Sequence, residues 1–166
     1  RKITHAHRNS KSTDSIGAYG PELNHIISKG SEIAFCKITG ATGYTDVLPN
    51  SEISGAEENY DVLWNGWRVD VKTVPMWDRF PNLKIPTHFF THRSKGVEVF
   101  ALMHNDYPKR PGWYEFSGWC WFADPPLLGQ WLKGKSSIKG KVGSFYAVQP
   151  EQLYSRKAPS RPTVLS

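Results

Sequence analysis

Two acids and one lysine, Asp61, Asp70 and Lys72, lie close together in a segment that reads as two β-strands joined by a tight turn. Carboxylates are the hard oxygen ligands that Mg²⁺ prefers. A lysine beside such a metal can orient water and offset the charge that develops on a phosphate. This combination of side chains is typical of metal-dependent cleavage of a phosphodiester.

The residues around these side chains predict a β-hairpin. Valine and tryptophan, which favour strands, flank Asn65 and Gly66 on both sides. Asn-Gly is the strongest short signal for a hairpin turn, because both residues tolerate positive φ. The period of two places Asp70 and Lys72 on one face of the second strand, and antiparallel pairing brings Asp61 close to the end of that strand. The alternative is an ordinary hairpin with a solvated charged face.

Composition favours one globular domain with a polyanionic partner. The chain has 166 residues, of which 39% are hydrophobic and 13% aromatic, and its net charge is +6. Basic residues form three clusters, whereas acids gather between Glu52 and Asp78 around the candidate site. This distribution suits a nuclease that holds a nucleic-acid backbone on a basic surface and a cation in an acidic pocket. Solubilising surface charge is the alternative interpretation.

No apolar run is long enough to span a bilayer, and no signal-peptide pattern is present, so we expect no membrane partner and a cytoplasmic location. Cys36 and Cys120 form no C-x-x-C pattern, which argues against a zinc site. We expect both to be buried free thiols in a reducing compartment, with a disulfide as the alternative.

The chain divides into a basic flexible arm over residues 1–20, a domain over 21–154 and a basic tail over 155–166. A helix begins after Pro21, is interrupted around Gly30 and ends near Gly40. The other expected elements are a loop over 41–58, irregular chain over 75–95, strands over 97–103, 113–122 and 145–148, a short helix over 124–131 and a final helical turn over 150–154. Gly118 is expected to mark a bend or bulge.

The chain resembles the PD-(D/E)xK nuclease superfamily, which includes restriction-type endonucleases, archaeal junction resolvases and small phage or homing nucleases. The resemblance rests on a helical acid, an acid at a strand start and an acid-x-lysine run in the next strand. It covers roughly residues 25–154, and the matching positions are Glu32, Asp61, Asp70, Val71 and Lys72. It implies an α/β fold with a restriction-endonuclease-like core, in which helices flank a central mixed β-sheet of about four to five strands.

The resemblance also implies a role for each matching residue. Asp61 and Asp70 would bind Mg²⁺ or Mn²⁺, and the backbone carbonyl of Val71 and the carboxylate of Glu32 would supply further ligands. Lys72 would orient or deprotonate the attacking water. Other upstream acids that could take the place of Glu32 are Glu22, Glu57 and Glu58.

The expected function is Mg²⁺-dependent endonucleolytic hydrolysis of DNA, by an enzyme of phage or mobile-element origin that acts in the host-cell cytoplasm without a small-molecule cofactor. Homing, restriction-like and junction-resolving activities all remain open. The alternatives are a catalytically weak nucleic-acid-binding module on the same fold and an interaction protein that binds acidic partners. Double-strand cleavage needs two active sites, so we expect a homodimer or higher oligomer. The residues expected to contact DNA are Arg68, Thr73, Arg79, Lys84, Arg93, Lys95, Lys133, Lys135, Lys139 and Lys141.

Overall fold

The structure, a computed structural model, describes residues 19–43, 60–91, 96–133 and 143–160. Most of the expected N-terminal arm and the last six residues of the expected tail therefore lie outside the described residues. So do five candidate DNA contacts and two of the alternative acids. These are Arg93, Lys95, Lys135, Lys139, Lys141, Glu57 and Glu58.

The first helix, α1, is continuous from Pro21 to Thr39, so the predicted interruption at Gly30 is wrong. Proline in the first turn fits the φ of a helix, and its missing N–H is not needed there. The predicted stop at Gly40 is confirmed: this residue has a φ of 75°, and its amide donates to the Cys36 carbonyl at 2.8 Å. Glycine takes this left-handed conformation without strain.

In the part of the chain that the structure describes, eight strands and two short helices follow α1. In chain order the strands are β1 (Thr42–Gly43), β2 (Val62–Trp64), β3 (Trp67–Pro75), β4 (Leu83–Pro86), β5 (Val99–Asp106), β6 (Arg110–Trp121), β7 (Gln130–Lys133) and β8 (Ser144–Val148). The short helices are α2 (His88–Thr91) and α3 (Asp124–Leu128), and a 3-10 turn covers Pro150–Gln152.

The larger sheet has five strands in the order β1-β2-β3-β5-β6. Only β3 and β5 run parallel, and the other neighbours are antiparallel. This mixed sheet, accompanied by helices, confirms the α/β class and the expected number of strands. The hairpin turn between β2 and β3 is also confirmed, because Asn65 and Gly66 both have positive φ, at 50° and 79°.

The bulge predicted at Gly118 is confirmed by a register shift between β5 and β6, where Met103 pairs with Phe116 and Leu102 with Gly118. Gly118 has a φ of 144°, and a Cβ there would lie 2.6 Å from the Tyr154 carbonyl oxygen. A side chain at this position would therefore collide with the C-terminal segment that crosses β6.

A second sheet, with the order β4-β8-β7, was not expected from the sequence. β4 and α2 lie in a stretch predicted to be irregular, and Trp131 belongs to β7 rather than to the end of a helix. Leu83 and Ile85 are buried in β4 although prolines stand close on either side. Such a short strand forms because it pairs with β8, which is distant in sequence.

The five-stranded sheet has a core on each face. One core includes Phe35 from α1 with Val71 from β3, and the other includes Phe100 from β5 with Leu83 from β4. The sheet therefore lies between α1 and the smaller sheet. Successive side chains of β3 therefore point alternately toward α1 and toward the smaller sheet.

The two cysteines are free, as predicted. Cys120 is buried, and its burial raises the pKa of the thiol, whereas Cys36 is only partly buried. Among the described residues, no helix combines the length and the apolar character needed to cross a membrane.

Candidate active site

Asp61 lies where β2 separates from β3. The ladder between these strands ends at the pair Val62 and Val69, and the Asp61 amide donates to the Val69 carbonyl at 2.9 Å. One carboxylate oxygen of Asp61 then accepts a hydrogen bond from the Val71 amide at 2.8 Å. The side chain thus takes the place of the next ladder carbonyl and is held in the opening between the two strands.

Asp70 and Lys72 form an ion pair beside this opening, with 2.9 Å between Nζ and Oδ1. Their side chains are 8% and 14% exposed, so the pair is largely withdrawn from water. The Lys72 ammonium also lies 4.7 Å from the centre of the Phe89 ring, a favourable position for a cation. Alternation along β3 places both residues on the face that carries the smaller sheet.

Glu32 comes from α1, which packs on the opposite face. It is buried in the helix surface that also includes Ile27, Ser31 and Phe35, and Lys29 holds its carboxylate at 2.8 Å. Burial raises the pKa of Glu32, the neighbouring Lys29 lowers it, and Asp70 raises it further. The alternative acid Glu22 is exposed in the first turn of α1, so the packing favours Glu32.

The electrostatics of Asp61 connect the two faces. Burial and the nearby charge of Glu32 raise the pKa of Asp61 to about 6, although the hydrogen bond from Val71 and the charges of Lys72 and Lys29 lower it. The pKa of a carboxyl group rises this far when the group is desolvated and lies among other carboxylates. The structure therefore brings Glu32 within electrostatic reach of Asp61, Asp70 and Lys72, and Asp61 within reach of Lys72.

Two buried hydroxyls accompany these charges. Ser31 Oγ and Thr73 Oγ1 form no hydrogen bond with any group in the described part of the chain. Ser31 is interior to α1, and Thr73 shares its strand face with Val71. A buried hydroxyl without a partner is unfavourable by about 1–3 kcal/mol. The layer between α1 and β3 therefore contains two hydroxyl groups that would be available for hydrogen bonds to a bound water or ligand.

The described residues contain no group of three or more His, Cys, Asp or Glu side chains arranged to hold a metal ion. The site does offer Asp61, Asp70 and the Val71 carbonyl at one strand opening. In a strand, the N–H and C=O of one residue point toward the same neighbour, so the Val71 carbonyl faces the side on which Asp61 lies. Two carboxylates and one carbonyl are hard oxygen donors of the kind that Mg²⁺ or Mn²⁺ accepts.

The candidate DNA contacts that the structure describes are dispersed around this centre. Arg68 is exposed and pairs with Glu98 at 3.3 Å. Lys84 pairs with Asp78 at 3.2 Å. Three others complete this set: exposed Arg79, exposed Lys133 and the half-buried Thr73.

Sequence reasoning missed two residues of the site. Lys29 stands three positions before Glu32, a spacing that places both on one helix surface and is visible in the sequence. Phe89 carries no such local signal, because α2 approaches Lys72 only through tertiary packing. Both residues affect the charge of the site directly.

No family model, no curated protein and no solved structure matches this chain. The functional argument therefore rests on the geometry of Asp61, Asp70, Lys72 and Glu32 and on the chemistry that these side chains support.

Proposed function

We propose that this protein is a metal-dependent DNA endonuclease with a restriction-endonuclease-like core. The single observation that carries the proposal is the opening between β2 and β3, where Asp61 is held by the Val71 amide next to the Asp70 and Lys72 pair. The mixed sheet, with α1 packed against one face, is consistent with such a core.

The residues at the opening fit a divalent cation. Burial and mutual repulsion raise the pKa of Asp61 and of Glu32. The three carboxylates Glu32, Asp61 and Asp70 outnumber the two ammonium groups beside them, Lys29 and Lys72, so the ionised cluster has a net negative charge. A carboxylate has two oxygens, and the hydrogen bond from Val71 is therefore compatible with coordination by Asp61. Asp61, Asp70 and the Val71 carbonyl would hold the ion, with Glu32 binding directly or through water. When bound, the ion would polarise the phosphate and lower the pKa of a coordinated water.

The protein side chains would supply the remaining chemistry. Water would attack phosphorus as the bond from phosphorus to the leaving oxygen breaks. The attacking water would release a proton to solvent, and the leaving oxygen would take one from solvent. The Lys72 ammonium donates hydrogen bonds only, so it would orient the water or stabilise charge on a phosphoryl oxygen. Asp70 fixes this ammonium at 2.9 Å, and the centre of the Phe89 ring lies 4.7 Å from it. Charge stabilisation in this sheltered position is expected to supply much of the acceleration.

Cleavage of supercoiled plasmid, a single-stranded circle and a four-way junction tests the proposal. Each DNA is incubated with Mg²⁺, Mn²⁺ or chelator, and nicked and linear products are separated. We expect metal-dependent cleavage that Asp70→Asn and Lys72→Met each reduce by at least about 100-fold. Linear product without prior nicking indicates two sites acting together, as in a dimer.

Two exposed residues away from the site provide matched controls. Glu151→Gln removes a carboxylate on the 3-10 turn, and Lys37→Gln removes an ammonium from the last turn of α1. Both variants should cleave like the unmodified protein. Salt-sensitive DNA binding without cleavage of any substrate, including a long random-sequence library, would instead support the binding-module alternative.

A further inference from the structure

An exposed aromatic and basic surface follows the end of β3. We define the aromatic patch as Met76, Trp77, Arg79, Phe80 and Arg110. Trp77 is 53% exposed and Phe80 59% exposed, although burial of such apolar side chains is favourable. Adjacent exposed aromatic side chains on a soluble domain indicate a binding surface more often than single ones do.

The aromatic patch is held in place rather than left loose. The indole N–H of Trp77 donates to the Tyr107 carbonyl at 2.8 Å, and the Tyr19 ring meets the indole edge-on at 6.0 Å. The Arg110 guanidinium approaches the Met76 sulfur at 3.6 Å and lies 3.9 Å from the centre of the Trp113 ring. An aromatic face fixed in this way can bind a flat ligand at little cost in conformational entropy.

The charge around these rings favours an anionic partner. Asp78, which adjoins Trp77 in the sequence, is paired with Lys84, and Asp106 is paired with Arg110 of the patch. Arg79 and Lys109 are exposed and make no ion pair within the described residues. A ligand with flat apolar rings and a negatively charged backbone therefore matches the aromatic patch better than an acidic peptide without such rings.

The aromatic patch follows the strand that carries Asp70 and Lys72 of the candidate active site. Trp77 is five residues beyond Lys72, which corresponds to at most about 17 Å of extended chain. Val74 pairs with His104 across β3 and β5, and His104 contacts the Pro81 carbonyl at 2.9 Å. The segment that carries Phe80 therefore crosses the sheet face on which Lys72 lies. About five stacked nucleotides, at 3.4 Å each along one strand, would span this distance.

We infer that the aromatic patch stacks unpaired bases of a DNA strand whose phosphate backbone enters the candidate active site. The preferred substrate would then be DNA with a junction between duplex and single strand, such as an overhang, flap or branch, rather than continuous duplex. This inference rests on the proposed nuclease function and adds a substrate class to it.

Unpaired bases fit the aromatic patch better than duplex DNA for a geometric reason. Within a duplex the faces of the bases are covered by their neighbours, and only their edges are accessible in the grooves. An unpaired base exposes its ring face, and stacking on a protein aromatic side chain tolerates any base. Trp77 and Phe80 offer ring surface, while Arg79 can contact phosphate or stack.

Fluorescence anisotropy with the full chain in chelator tests this inference without cleavage. The probes are a blunt duplex, the same duplex with a ten-nucleotide 3′ or 5′ overhang, and the overhang strand alone. The variants are Trp77→Ala, Phe80→Ala and Trp77→Phe. Trp131→Ala is the matched control, since Trp131 is 55% exposed on the smaller sheet and outside the aromatic patch.

We expect overhang DNA to bind at least about tenfold more tightly than blunt duplex, and Trp77→Ala or Phe80→Ala to remove most of this preference, as for loss of one base stack. Trp77→Phe should retain the preference because it keeps a ring. Trp131→Ala should bind like the unmodified protein. Thermal unfolding of each variant establishes that it is folded.

Equal affinity for blunt and overhang DNA overturns the inference, and so does an equal loss of affinity for both DNAs in Trp77→Ala. Cleavage with Mg²⁺ is scored separately on the same DNAs. Cleavage without overhang preference supports the nuclease and rejects the aromatic patch, whereas overhang preference without cleavage supports the patch and rejects the nuclease.

Discussion

The carboxylate of Asp61 accepts a hydrogen bond from the backbone amide of Val71 at 2.8 Å, at the point where β2 leaves β3. This bond joins the candidate metal ligand to the strand that carries Asp70 and Lys72. It also lets a charged side chain occupy a position that a backbone carbonyl takes elsewhere in the ladder. Stability and the proposed chemistry therefore depend on the same atoms.

Asp61→Asn is expected to stabilise the metal-free protein at pH 8 and to abolish its stabilisation by Mg²⁺. Asparagine can still accept the hydrogen bond from Val71, but it carries no charge beside Glu32. The gain should be about 1–2 kcal/mol, or a few degrees in Tm for a chain of this size. Asp61→Ala should be about 1 kcal/mol less stable than Asp61→Asn, because the Val71 amide loses its acceptor. Thermal unfolding with and without Mg²⁺ measures both effects. A metal response retained in Asp61→Asn would exclude Asp61 as a ligand.

Raising the pH should lower the free energy of unfolding of the metal-free protein, because Asp61 loses its proton. The pKa of this group is about 6 in the fold against an ordinary value of 3.8, so between these values the folded protein holds a proton that the unfolded chain releases. The free energy of unfolding therefore falls as the pH rises from about 4 to 6, by about 1–3 kcal/mol for this group. Urea unfolding of the unmodified protein and of Asp61→Asn isolates the contribution as their difference.

Protonation of Asp61 should also lower the affinity of the site for a metal ion. Below pH 6 the protonated Asp61 is a poor ligand, and the affinity for Mg²⁺ should fall about tenfold for each further pH unit. Calorimetric titration of Mg²⁺ between pH 5 and 8 measures this dependence. An affinity that does not change over this range would contradict the assignment.

Lys72→Met should destabilise the protein by about 3 kcal/mol, because it leaves the Asp70 carboxylate without its cation in a nearly buried position. The double variant Asp70→Asn with Lys72→Met should recover most of this loss. Equilibrium unfolding of the single and double variants gives the coupling between the two residues. Arg156→Gln breaks the exposed ion pair with Glu115 and should change stability by less than about 1 kcal/mol. Additive effects at Asp70 and Lys72 would contradict a coupled pair.

Gly30→Ala should destabilise α1 although alanine is the better helix former by about 1 kcal/mol. A Cβ at this position would lie 2.2 Å from the Tyr114 hydroxyl, which donates to the Ile27 carbonyl at 3.0 Å. We expect a net loss of about 1–2 kcal/mol that becomes smaller when Tyr114→Phe removes the hydroxyl. Urea denaturation of the three variants tests this, and a stabilising Gly30→Ala would show that the helix shifts freely.

Features decided by one or two neighbouring residues could be predicted from the sequence. Asn65 and Gly66 form the hairpin turn and Gly40 ends α1, because each requires positive φ. The bulge at Gly118 belongs to the same group. These conformations depend on the local backbone, and the residue type restricts the backbone wherever it is placed.

Features that depend on a residue or strand distant in sequence could not be predicted from the sequence. In α1, Ile26, Ile33 and Ile38 are exposed, whereas Ile27 and Phe35 are buried. The helix carries apolar residues on more than one side, so its own pattern does not decide which side meets the sheet. Strand β4 likewise depends on its pairing with β8. The prolines around it obscure the alternating pattern of buried residues in the sequence.

The period of two in a strand and the Asn-Gly turn are enough to predict that Asp70 and Lys72 share one face of β3 and that Asp61 lies near them, because both leave the backbone little freedom. No local pattern predicts that Glu32 lies within reach of these residues. Alternation within a strand is set by bond geometry, whereas the side of α1 that meets the sheet follows from packing of the whole core.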